Sequence, residues 1–170
     1  MSEVQRSALP DSALSKHYEA KGAYTDCFFL DVPQKVSFEE YVEAFYTTPL
    51  FKLERKILAL VVRKPSTDGQ AKALAKGERT QFSSWNEEAR GENQILMSDF
   101  MNKTRSWLKT EDISDDQQTK TRLYFGSVVV PPQTKNGPGE FGFLFHATTG
   151  LHVVYSKALL KGAGKRLSKN

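Results

Sequence analysis

The chain has 170 residues, of which 39% are hydrophobic and 26% charged, with a formal net charge of +4. That length suits one domain able to bury a core without covalent staples, and the composition excludes a disordered or fibrous chain. A single cysteine excludes a disulfide framework and a thiol metal cluster, and in the apolar run Cys27-Phe28-Phe29-Leu30 it reads as a small core hydrophobe.

Residues 1–21 read as an N-terminal arm or short helix with Pro10 near its start. Tyr24 to Val32 then alternates as a strand, with Tyr24, Asp26, Phe28 and Leu30 on one face and Thr25, Cys27 and Phe29 on the other. Ser37 with Glu40 three residues on is a capping box, and Phe38, Tyr41, Val42, Phe45 and Tyr46 recur at helical spacing behind it. Thr47-Thr48-Pro49 breaks that helix and Pro49 opens the next, for which Leu50, Leu53, Ile57, Leu60 and Val61 form the expected buried stripe. Gln70 to Lys76 reads as a short helix closed by Gly77.

From there the texture turns to strands. Phe82 to Glu88 alternates, Arg90 to Asn93 is a turn, and Ile95–Phe100 with Thr104–Thr110 form a hairpin in which Asp99 and Arg105 are expected nearly opposite. Glu111 to Lys120 is an acidic loop, Thr121 to Val130 is the strongest strand, and Pro131-Pro132 ends it. After a Gly/Pro-rich loop comes a final helix starting between Phe141 and Thr149, with Leu144, Thr148, Leu151, Tyr155, Ala158 and Gly162 as its expected stripe. Strands and helices are segregated, which argues α+β over a doubly wound sheet. The expected layout is helix-grip-like: a curved antiparallel sheet, two short helices and a long C-terminal helix. Residues 22–167 form this single domain and 168–170 a tail.

Ser106-Trp107-Leu108, the run Thr121 to Ser127, and His152 with Tyr155-Ser156 and Leu159-Leu160 resemble an uncharacterised bacterial family called domain of unknown function 2867. Gly77-Glu78-Arg79, the strand at Phe82 and Asn93 to Leu96 are similar to its middle section, so the resemblance runs from about Tyr24 to Leu167. It implies a helix-grip fold, related to the Bet v 1-like and START-like proteins that bind lipids, hormones or polyketides. It brings no catalytic residues with it. The acidic insert at 111–118 and the stretch from Gly137 depart from the family pattern.

His152 and Tyr155, three apart, share a helix face that in such a fold looks into the cavity. The expected companions on the strands are Asp99, Arg105, Trp107, Tyr124 and Ser127. A histidine beside a carboxylate can act as a general base; the plainer alternative is a core histidine and an ion pair across a hairpin. Gly137-Pro138-Gly139-Glu140-Phe141-Gly142 matches G-x-G-x-x-G, but no strand follows its helix and no carboxylate lies beyond it, so it is loop punctuation. Gly126-Ser127-Val128 is no nucleophile elbow, and His17 and His146 have no metal-ligand spacing.

No metal and no cofactor are expected. The basic C-terminus (Lys157, Lys161, Lys165, Arg166, Lys169) reads as a helix end complementing its dipole, so no nucleic-acid partner is expected. The run Ile57–Val62 is too short to enter a bilayer, no leader is evident, and a cytoplasmic location follows as the default. The expected function is binding of a small apolar or amphipathic ligand between sheet and C-terminal helix. The alternatives are a cyclase- or hydrolase-like enzyme using His152 with an acid, and an interaction module with an exposed apolar patch.

Overall fold

A computed structural model describes residues 3–61, 63, 65–134, 137–138 and 143–169. Seven strands, β1 (Gln5–Arg6), β2 (Tyr24–Val32), β3 (Gln81–Phe82), β4 (Trp85–Gly91), β5 (Gln94–Asp99), β6 (Thr104–Asp112) and β7 (Thr121–Val129), form one antiparallel sheet in the order β1-β2-β7-β6-β5-β4-β3. Three helices, α1 (Phe38–Tyr46), α2 (Pro49–Val61) and α3 (Asp68–Ala75), lie between β2 and β3 in sequence. The helix α4 (Phe143–Leu167) follows a two-strand ribbon of β8 (Gln133–Thr134) and β9 (Gly137–Pro138). The expected α+β class therefore holds, with three helices before the hairpins rather than two. Of the G-x-G-x-x-G stretch, residues 139–142 lie outside the described ones.

Local chemistry sets the element ends. Ser37 Oγ accepts from the Glu40 N–H at 3.2 Å while Glu40 Oε2 accepts from the Ser37 N–H at 2.8 Å, satisfying two otherwise unpaired donors of α1. Thr67 and Gln70 cap α3 in the same way. Thr48 Oγ1 accepts from the Phe51 N–H and so caps α2. Ser83 and Asn93, both at positive φ, make the tight turns on either side of β4.

β2 and β6 each pair with β7 along nine residues, so the sheet has a firm centre. Alternation then sorts side chains between two faces. Phe28, Leu30, Ile95, Met97, Leu108, Leu123 and Phe125 pack on the helices, in one core with Tyr41, Phe45, Phe51, Leu159 and Leu160. Cys27, Leu96, Trp107, Tyr124 and Val128 form a second core on the other face, under Leu9, Ala13 and Tyr18 of the N-terminal arm. Residues 3–21 thus cover one side of the sheet and add its edge strand β1.

Two expected stripes are corrected. On α2, Leu53, Ile57 and Leu60 are 56%, 54% and 84% exposed, while Phe51 and Arg55 are buried. Arg55 is held by Asp68, Ser66 and the Tyr46 carbonyl, so the helix buries a paired cation and turns its aliphatic side outward. Val61's side chain lies outside the described set. Among the described residues of α4 the buried positions include Ser156, Leu159, Leu160, Ala163 and Leu167, whereas Leu151 is exposed. Small residues at 156 and 163 bring the helix close to its neighbours, a face that hydrophobicity alone does not mark. Leu144 and Thr148 have side chains outside the described set.

Candidate functional site

The register of β2, β7 and β6 places Asp26, Ser127 and Ser106 in one transverse row, each opposite the next, on the face that α4 covers. The neighbouring row is Phe28, Phe125, Leu108 and Ile95, fully apolar. The polar row therefore marks where the close-packed core stops. Above it α4 supplies His152 and Tyr155, one turn apart, and α2 supplies Glu54.

These groups border a partly open cavity of about 230 Å³ between sheet and α4. Its walls are mostly apolar: Phe45, Phe51, Trp85, Phe125, Val129 and Leu159. Its polar lining comes mainly from Glu54, Ser106, Ser127, His152 and Tyr155. The Trp85 indole Nε1–H is buried and has no hydrogen-bond partner. The Tyr46 hydroxyl is also buried without one; the nearby Ser106 hydroxyl only partly offsets the burial that pushes its pKa far up. Buried donors left unpaired are costly; Tyr46 does not itself line the cavity.

Asp26, whose side chain is fully buried, sits behind this lining. Its Oδ1 accepts from the Ser127 hydroxyl at 2.6 Å and the Ser127 N–H at 3.1 Å, and its Oδ2 lies 3.4 Å from His152 Nε2. The Ser127 hydroxyl has one proton, which it gives to Asp26, so the 2.7 Å contact with His152 is a donation from Nε2–H to Ser127 Oγ. This is the reverse of a nucleophilic triad, in which serine yields its proton to histidine and the carboxylate holds the other ring nitrogen. What remains is an imidazole oriented through Nε2 by Ser127 and Asp26.

Glu54 differs. Its carboxylate accepts from the Tyr155 hydroxyl, and burial raises its pKa with that hydrogen bond only partly opposing the rise. The buried Tyr155 hydroxyl is pushed up as well, by burial first and by the Glu54 charge second.

Of the expected site residues, Ser127, His152 and Tyr155 meet at the cavity. Trp107 and Tyr124 belong to the core on the opposite face; the Trp107 indole donates to Gln94 Oε1 at 2.9 Å and the Tyr124 hydroxyl to Glu111 at 2.8 Å. Arg105 passes the cavity with part of its chain, but its guanidinium reaches the arm side, where Nε donates to Glu88 at 2.8 Å and to the Tyr18 hydroxyl at 2.9 Å. The expected opposition of Asp99 and Arg105 is corrected: Arg105 faces Ser98, and Asp99 accepts from the Lys103 and Thr104 N–H groups at the turn. The acid near His152 is Asp26, which sequence reasoning had not placed among the candidates. Its signal was a carboxylate on the same strand face as Phe28 and Leu30. Glu54 and Ser106 were missed as lining because they read as ordinary helix or strand positions, while the expected apolar wall of Phe residues is supplied by Phe45, Phe51 and Phe125.

Among the described residues no cluster of His, Cys, Asp and Glu has the makings of a metal site, and no helix is long and apolar enough to cross a membrane. Family models, curated proteins and solved structures give no match to the chain.

Proposed function

We propose that the chain binds a small, largely apolar molecule carrying one polar group, in the cavity between the sheet and α4. The observation that supports this most is the cavity's asymmetry: aromatic and aliphatic walls, with Glu54, Ser106, Ser127, His152 and Tyr155 among its polar lining residues. Ligand sites have this composition, whereas packing faults are dry and apolar throughout. At about 230 Å³ the space suits a ligand of roughly one ring rather than an extended lipid. The antiparallel sheet with a long terminal helix over one face is in keeping with a helix-grip assignment, and we propose that type together with the resemblance to the uncharacterised bacterial family. Native mass spectrometry of freshly purified protein against its denatured mass tests the reading. A small species released on denaturation is the expected result; its absence, with no saturable binding of single-ring compounds, counts against it.

A second reading is favoured by one contact. His152 held through Nε2 by Ser127 and Asp26 is an oriented imidazole at a pocket, the arrangement a general base needs. A cyclase- or hydrolase-like activity then depends on His152 with Asp26 as the positioning acid. Release of nitrophenol from p-nitrophenyl acetate, unchanged in His152→Ala, would sink this reading.

A further inference from the structure

We infer that the ligand of this cavity is a cation, a protonated amine on a small hydrocarbon body, seated against the Glu54 carboxylate. The inference rests on the binding reading above and deepens it by naming the ligand's charge. Two carboxylates stand at the site, and they differ in how they are paired. Asp26 is enclosed and answered: a backbone N–H, a hydroxyl and the His152 ring all face it, and it does not itself line the cavity. Glu54 lines the cavity, and among the described residues its partner is one neutral hydroxyl, Tyr155, with no cation in ion-pair reach.

Among the described residues, the two arginines nearest in the fold and in sequence, Arg105 and Arg55, are committed elsewhere. Arg105, the one Lys or Arg at the cavity, turns its guanidinium to Glu88 and Tyr18 on the other side of the sheet. Arg55, on the same helix as Glu54, is spent on Asp68 and Ser66. A largely buried carboxylate lacking a counter-ion is an unfavourable arrangement, and a ligand ammonium group supplies the missing charge. The surroundings suit such a ligand in a second way. The rings of Phe45, Phe51, Trp85 and Phe125 line the same space, and aromatic faces attract a desolvated cation. The Glu54–Tyr155 pair also borders a shallow outer groove made by Leu50, Leu53 and Ile57, so the carboxylate stands between cavity and surface, where an entering amine meets it first.

Three probes of one shape isolate the charge: cyclohexylamine, protonated at neutral pH, cyclohexanol and cyclohexanecarboxylate. Dissociation constants come from NMR titration of the full chain, following the indole N–H resonances. The expected result is that the amine binds at least about tenfold more tightly than the alcohol, a difference of about 1.4 kcal/mol, with the carboxylate weakest. In Glu54→Gln that preference for the amine over the alcohol disappears, and retained dispersion of the 1H–15N spectrum shows the variant to be folded. An alcohol that binds as tightly as the amine overturns the charge assignment and leaves the binding reading standing. A preference for the amine that survives in Glu54→Gln overturns the role of Glu54. Failure of all three to bind overturns both.

Discussion

The two faces of the sheet are built from the same strands and carry opposite solutions to the burial of polar groups. Under the arm most such groups are answered, the buried Ser15 hydroxyl being left without a partner. Arg105, Glu88 and Tyr18 form a closed triangle of hydrogen bonds, and Gln94 accepts from both the Trp107 indole and the Leu14 N–H while its amide donates to the Ser12 carbonyl. Under α4 the core is equally dense along the Phe28–Ile95 row, then opens at the polar row into a space lined by Trp85 and by a carboxylate, Glu54, that has no counter-ion among the described residues. A face that is closed and satisfied serves stability. On our proposal, a face that leaves donors and charge unspent is where a ligand would supply the partners.

The contrast can be broken most severely at Trp107. It is fully buried, and Trp107→Ala should cost about 3–5 kcal/mol in urea unfolding. A loss below about 1 kcal/mol would mean the arm face is not close-packed. Arg105→Ala leaves Glu88 and Tyr18 without their shared donor and should cost about 3 kcal/mol, as breaking one side of a buried pair does. Gly126→Ala probes how tightly the arm closes. A Cβ there meets the Asp26 carbonyl oxygen and the Trp107 ring, each at 3.0 Å, so a loss of about 1–3 kcal/mol in thermal or urea unfolding is expected.

The smallest effect has the opposite sign and sharpens the comparison. Burial raises the Glu54 carboxyl pKa above its unfolded value. The stabilisation from holding that proton is complete below the unfolded carboxyl range, near about 4.3, and is lost as pH rises through the folded value. The groups facing it, Tyr155 and the buried Tyr46, have their own pKa values raised and bring no positive charge. Glu54→Gln should therefore raise Tm by about 1–3 °C at neutral pH, with the gap narrowing toward pH 4. A lower Tm at neutral pH would show that the carboxylate is structurally paired after all.

Much of the fold was legible because local rules and packing agreed. The capping box at Ser37, the break at Pro49 and the strands β2 and β7 each have a local cause that survives in the structure, whereas the Thr67 capping box lies where a turn was expected. The helix faces were less legible. On α2 and α4 the aliphatic residues point partly to solvent, while Arg55, Ser156 and Ala163 are buried, because pairing and close approach outweigh hydrophobicity there. The site was half legible. Helical spacing puts His152 and Tyr155 on one face, which the expected helix-grip layout turns to the cavity, but Asp26 reaches His152 only through β2–β7 pairing across about a hundred residues of chain, and Glu54 only through the docking of α2 beside α4. Trp107, Tyr124 and the Arg105 guanidinium were expected at the cavity and lie on the other face because strand parity assigns sides, and nothing in the sequence says which side α4 takes.

The two tryptophans report on the two faces separately, Trp85 at the cavity and Trp107 under the arm. The most direct measurement is a 1H–15N NMR titration of the protein with cyclohexanol, reading both indole resonances. If the α4 face is the binding face and the arm face is closed, the Trp85 indole moves saturably as its unpaired N–H gains an acceptor, while the Trp107 indole, held by Gln94, stays in place. A Trp85 resonance that does not move, or a Trp107 resonance that moves as far, would contradict the account.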